Sequence, residues 1–183
     1  ASIVLTCLAP TGATKGGSAI YLAASLILFG ISALYHRFYW SPRWEVVWNR
    51  LDHSNIFLLI AGTYTPLSIA ILPHDQAVTI LSIVWGGALL GILLNLFWPT
   101  APRWLATLIY VALGWVAVWY LPQFWALGGA VIVWLLLAGG ILYTIGAVVY
   151  ATKKPDLSPR WFGFHEIFHL CTVLAWACHC VAV

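Results

Sequence analysis

Ser32 and His36 lie four residues apart, His165 and His169 lie four apart, and Asp52 stands between the two pairs in the chain. Residues four apart share one face of a helix, so each pair presents two polar groups together. Three imidazoles with a carboxylate suit Zn²⁺, which takes three protein ligands and a water at catalytic sites. His36, His165 and His169 are the expected ligands. Three roles are open to Asp52: orienting a ligand histidine, holding the water, or serving as a fourth ligand. Ser32 would bond the water or a substrate oxygen. His165-Glu166-Ile167-Phe168-His169 also reads as H-E-x-x-H, the pattern in which the glutamate of soluble zinc proteases is the general base. That keeps an intramembrane metalloprotease in view. Such proteases often take a third ligand from an Asp in an N-P-D-G-like segment, which this chain lacks, so His36 is the better third ligand.

The remaining histidines fit less well and are expected to be polar residues near lipid headgroups. His74 falls in an outer loop. His179 lies ten residues beyond His169, roughly 15 Å along a helix. His53 neighbours Asp52 but points about 100° away from it on a helix, while Asn55, Thr63 and Pro66 extend the polar stripe from Asp52. Cys7, Cys171, Cys178 and Cys180 show no C-x-x-C spacing and read as core residues rather than ligands or disulfides.

The elements that must position these groups follow from composition. Apolar residues make up 63% of the 183-residue chain and charged residues only 7%, against roughly 25% charged in soluble domains. Thirteen charges cannot cover a globule this size in water, so lipid is the solvent. Disorder needs low hydrophobicity and is excluded. Four cysteines in apolar runs exclude a disulfide-stapled mini-domain, and the net charge of +3 leaves no basic face for nucleic acid.

Residues 16–36, 54–74, 76–102, 104–152 and 167–183 contain no Asp, Glu, Lys or Arg. A spanning helix needs about 20 apolar residues. Six spans are expected, at 17–39, 53–72, 77–98, 103–121, 125–150 and 163–183, with a turn at Leu121-Pro122-Gln123-Phe124. The apolar start, Ile3 to Leu8, reads as the end of a truncated first span. The expectation is a single seven-helix transmembrane domain over residues 1–183, all-α.

Lys and Arg orient it. Arg37, Arg43 and Arg50 lie in the second loop, Arg103 in the fourth, and Lys153, Lys154 and Arg160 in the sixth, so alternate loops hold seven of the eight basic residues. Cytoplasmic loops carry that excess. The N-terminal side of the first helix is then cytoplasmic and the C-terminus external, with Ser32, His36, Asp52, His165 and His169 at one depth near the cytoplasmic face. Trp40, Trp98, Trp104, Trp119, Trp125 and Trp161 fall near span ends, where indole rings prefer the headgroups. Ser41-Pro42 reads as a helix start, opening a short interfacial helix with Trp44, Val47, Trp48 and Leu51 on one face. Gly87, Gly91, Gly139, Gly140 and Gly146 suit close helix packing.

These residues carry a resemblance. Ser32-Ala33-Leu34-Tyr35-His36-Arg37-Phe38, Leu51-Asp52-His53, the run from Ile56 through Ala61-Gly62-Thr63-Tyr64-Thr65-Pro66, and the His165/His169 pair resemble the hemolysin III family. That family is the bacterial branch of the progestin and adipoQ receptor family, which includes the adiponectin receptors. The resemblance runs from Tyr21 over nearly the whole chain. It implies seven helices, an inside N-terminus and a zinc site near the cytoplasmic face, with the S-x-x-x-H motif on Ser32 and His36, the family aspartate on Asp52 and the H-x-x-x-H motif on His165 and His169. The family also resembles alkaline ceramidases, which implies hydrolysis of a lipid amide. Glu166 departs from the usual pattern, so it is either incidental or a local base.

The leading expectation is a plasma-membrane hydrolase of a lipid amide or ester, with Asp52 as proton acceptor and Ser32 holding the oxyanion. A receptor or membrane-homeostasis protein with structural zinc is the second. A cytolysin, which rests on the family name alone, is the third. Membrane lipids are the expected partners.

Overall fold

The computed structural model describes residues 2–98, 101–158 and 161–183. Arg160, counted above among the basic loop residues, lies outside them, as does the side chain of Arg103. The described residues form seven helices and no sheet. They are α1 (Ser2–Leu8), α2 (Gly12–Arg37), α3 (Pro42–Ile71), α4 (His74–Phe97), a composite α5 from Arg103 to Gly128, α6 (Ala130–Thr152) and α7 (Phe164–Ala182). Six of them are long and apolar enough to cross a bilayer, as the charge-free stretches predict. The chain divides after Ala101 into two compact units. Leu26, Leu90, Phe97, Val131, Trp134 and Val181 are all exposed. Six helices of that length carrying such side chains outward need lipid around them.

In the first unit α2 begins at an N-cap in which the Thr11 side chain accepts from the Thr14 N–H at 3.2 Å and Thr14 reciprocates. Helix α3 packs on α2 through the Ala61–Pro66 stretch, all of it buried. A Cβ on Gly62 would come within 2.7 Å of the Ala24 Cβ, and one on Gly17 within 3.0 Å of the Pro66 Cα. Only residues without a side chain allow that approach. The motif that carries the family resemblance is therefore a helix-packing face. Thr63 and Thr65 turn their hydroxyls back to the carbonyls of Leu59 and Ala61 at 2.8 and 2.9 Å, and Thr65 also accepts from the Trp85 indole of α4 at 3.1 Å. On α4, Gly91 receives the Phe57 ring, which any Cβ there would strike. Gly91→Ala is expected to overpack this crossing and cost about 1–3 kcal/mol. Thermal unfolding in detergent checks this, and an unchanged Tm would show that Phe57 can turn aside.

Two expectations about the elements are corrected. The segment after Ser41 is neither a separate interfacial helix nor a loop. Pro42 at the first position starts α3, which runs unbroken to Ile71, so Arg43 and Arg50 ride on its N-terminal turns. The turn expected at residues 121–124 is helical. Pro122 has no N–H to donate and disrupts the ladder before it. Helix α5 responds by tightening into a 3₁₀ segment at Trp115–Tyr120 and then widening into a π turn at Phe124–Gly128. The chain reverses at Gly129, whose φ of 85° and ψ of 167° suit glycine alone.

In the second unit α6 and α7 pack antiparallel. Gly139 lies against His179, and Gly146 lies within 3.0 Å (from an added Cβ) of the Cys171 side chain. Gly140, expected at a contact, faces open space. Trp115 of α5 donates to the Thr144 hydroxyl of α6 at 2.9 Å. Cys171 and Cys180 are buried and Cys178 partly so, but Cys7 is exposed on α1 and is not a core residue. All four are free thiols.

Candidate metal centre

The first unit gathers Ser32, His36 and Asp52. Ser32 and His36 occupy successive turns at the end of α2, and Asp52 comes from α3. His36 Nε2 lies 3.8 Å from Asp52 Oδ2, too long for a hydrogen bond and short enough for one small ligand atom to touch both. Ser32 and His36 are the side chains that face the Asp52 carboxylate, and His53 adds its field nearby. The His36 side chain is 38% exposed and that of Asp52 only 13%, so the imidazole is the more reachable of the two. Neighbouring polar contacts hold the helices in place. Asn49 of α3 donates to the Tyr35 hydroxyl of α2 at 3.0 Å. Asn95 of α4 donates to the Arg50 carbonyl at 3.1 Å and to Ser54 Oγ at 3.0 Å. Asn95 was not picked out from the sequence. Its one signal there is an amide in an otherwise apolar span, and its effect is to fix the turns of α3 on either side of Asp52.

The second unit holds the other pair. On α7 the Nε2 atoms of His165 and His169 face one another at 3.0 Å, with ring centroids 4.5 Å apart and planes at 83°. Two ligands on a tetrahedral Zn²⁺ at about 2.0–2.1 Å stand roughly 3.3 Å apart along the tetrahedron edge. The observed spacing is close to that value, and the donor chemistry, neutral imidazole nitrogen, is the kind zinc takes. Phe164, Phe168 and Tyr150 surround the His165 ring.

Glu166 does not join them. It is exposed, and its carboxylate accepts the Gly163 N–H at 2.9 Å. It caps the first turn of α7, where a negative charge also suits the helix dipole. The second letter of H-E-x-x-H thus has a local structural use. His53 donates from Nδ1 to the Asn49 carbonyl at 2.7 Å on its own helix, in keeping with its exclusion. His74 is the exposed first residue of α4. His179, expected to be a simple polar residue near the headgroups, has a packing partner. Its ring packs between α6 and α7 and meets the Leu136 carbonyl at 3.3 Å.

These features define an all-helical, multi-pass membrane protein with polar clusters on α2/α3 and on α7. The chain belongs to the haemolysin-III related family, whose model matches residues 1–180. It is 36% identical to Hemolysin-3 of Bacillus cereus over 152 residues, 82% of this chain and 66% of that protein. It is likewise 36% identical to the Hemolysin-3 homolog of Bacillus subtilis over 147 residues, 79% of this chain and 68% of the relative. A more distant likeness, 28% over 176 residues, covers 85% of this chain and 39% of the adiponectin receptor protein of Drosophila melanogaster. It joins the family to the progestin and adipoQ receptor group. No solved structure matches the chain.

Proposed function

We infer that the protein is a zinc-dependent hydrolase of a lipid amide or ester. His36 from the first unit and His165 and His169 from the second would hold one Zn²⁺. The observation that carries this reading is the facing pair of Nε2 atoms 3.0 Å apart on α7, in a helix long and apolar enough to cross a bilayer. Ionisable groups inside membranes are costly and mark function. When bound, Zn²⁺ lowers the pKa of a coordinated water toward about 7 and polarises a carbonyl. Asp52 accepts the proton given up as the carbonyl carbon is attacked, and returns one to the leaving amine or alcohol. Its place 3.8 Å from His36 Nε2 suits a group that touches the reacting water without ligating. Ser32, beside that carboxylate, donates to the developing oxyanion. A general base that caps a helix cannot also face the reacting centre, so the Gly163 N–H bond of Glu166 weighs against the metalloprotease reading.

Purified protein should therefore hydrolyse a long-chain N-acyl amide presented in mixed micelles. A chelator should stop turnover, and stoichiometric Zn²⁺ should restore it. Zinc bound at stoichiometry with no turnover of amide or ester probes would favour the second reading, a receptor or homeostasis protein in which zinc staples helices.

The orientation proposed with this function puts the N-terminal side of α1 and the 151–162 loop in the cytoplasm of the plasma membrane. Val183 would be external. A reporter fused after Val183 should be active only when folded outside. Activity confined to the cytoplasm would invert the assignment and move the metal centre to the outer face.

A further inference from the structure

Well away from those clusters, the second unit holds two polar side chains with a different arrangement. Ten residues along α7 from His169, or about 15 Å, the His179 ring lies on Gly139 of α6, where any Cβ would strike it. The glycine is thus the condition for the imidazole being there. The Leu136 carbonyl 3.3 Å from His179 Nε2 can only accept, so Nε2 carries the hydrogen. A neutral imidazole with its hydrogen on Nε2 leaves a bare lone pair on Nδ1. That Nδ1 is buried and has no hydrogen-bond partner among the described residues. The hydroxyl of Tyr143, one turn along α6 from Gly139, is also buried and unpartnered. The two rings are 5.6 Å apart, centre to centre, with planes at 56°.

Buried polar atoms are almost always satisfied, and each one left bare is destabilising. Here one orphan is an acceptor and the other a phenol that can donate. We propose that Tyr143 and His179 form a binding site for a single hydroxyl group, which accepts from the Tyr143 O–H and donates to His179 Nδ1. Other ligand classes fit less well. A carbonyl or carboxylate takes the phenol hydrogen but meets the Nδ1 lone pair with its own. An ammonium could donate to both Nδ1 and the phenol oxygen, but burying its full charge among these apolar helices is costly. Water and the alcohol of a lipid both carry the required group. The site belongs to α6 and α7 alone and does not depend on the zinc reading.

The sign of one substitution tests this. If the Tyr143 oxygen is simply bare, Tyr143→Phe removes a penalty and the Tm of the purified protein stays the same or rises. If it holds a hydroxyl, Tyr143→Phe lowers the Tm by about 2–4 °C. His179→Gln keeps a donor for the Leu136 carbonyl, removes the Nδ1 acceptor and should lower the Tm similarly. The double variant should lose little more than either single, because both remove one bridge. The source is then identified on wild-type protein. Water gives an O–H stretching band in the infrared spectrum that shifts in heavy-oxygen water and is missing from Tyr143→Phe. A lipid alcohol gives no such band. Instead, hexadecanol added to delipidated protein raises the Tm of the wild type but not of Tyr143→Phe. An unchanged or raised Tm in Tyr143→Phe overturns the proposal. So does a lowered Tm with neither the band nor the alcohol effect, which would mean a direct bond from Tyr143 to His179.

Discussion

Asp52→Asn is expected to leave the fold intact and, at saturating zinc, to lower lipid-amide turnover by about 10²–10⁴-fold, the usual worth of a general base. Asparagine matches aspartate in shape, so the neighbours Ser32 and His36 keep their positions. What it loses is the ability to take a proton. Asp52 is also the carboxylate that would offset the +2 charge of Zn²⁺ among three neutral imidazoles. Part of the effect would therefore appear as weaker zinc binding, and turnover is best compared at saturating metal. Glu166→Gln is the matched control. Its carboxylate accepts from the Gly163 N–H at 2.9 Å, and a glutamine Oε1 can do the same, so turnover should stay close to wild type. Full turnover in Asp52→Asn together with its loss in Glu166→Gln would reverse the assignment in favour of the H-E-x-x-H base. If instead Asp52→Asn only lowers the Tm and no lipid substrate is found, the zinc is a staple.

Where lipid sets the rules, the sequence was readable. Charge-free stretches gave the six long helices because a bilayer leaves a chain little other choice. Helical periodicity brought Ser32 and His36 to the end of α2 and His165 and His169 to one face of α7. What could not be read depends on local competition between backbone and side chains. Pro122 looked like a turn, yet within a long apolar segment the chain keeps its backbone bonds by switching to 3₁₀ and π geometry, and it turns where Gly129 permits a positive φ. The Ser41-Pro42 start was correct. The end of that short helix was not, because nothing between Leu51 and His53 stops a helix, and α3 runs on to Ile71. His179 lies too far along the helix from His169 to share a metal, and in the sequence it read as a lone polar residue near the headgroups. Only the pairing of α6 with α7 shows that Gly139 makes room for its ring. Asn95 likewise needed the packing of α4 on α3 before its bonds to Arg50 and Ser54 could be seen.

Removing metal ligands should have the largest effect on composition. Wild-type protein prepared without chelator is expected to carry about one Zn²⁺ per chain, and the triple variant with alanine at His36, His165 and His169 none. The single variants should not be equal. His165 and His169 sit on one rigid helix with their Nε2 atoms already 3.0 Å apart, so little ordering remains when they bind. Losing either breaks a preformed pair. His36 stands at the last turn of α2 and is exposed where His165 and His169 are half-buried, so His36→Ala should retain more zinc than His169→Ala, with the vacated position open to water. Zinc binding is linked to stability: metal at 1,000 times its Kd adds about 4 kcal/mol to the folded state. A chelator should therefore lower the Tm of the wild type clearly and leave that of the triple variant unchanged. Elemental analysis and thermal unfolding on the same samples decide the matter. No zinc in the wild type, or full occupancy in the triple variant, would remove the metal from this site and leave the facing histidines as a simple hydrogen-bonded pair.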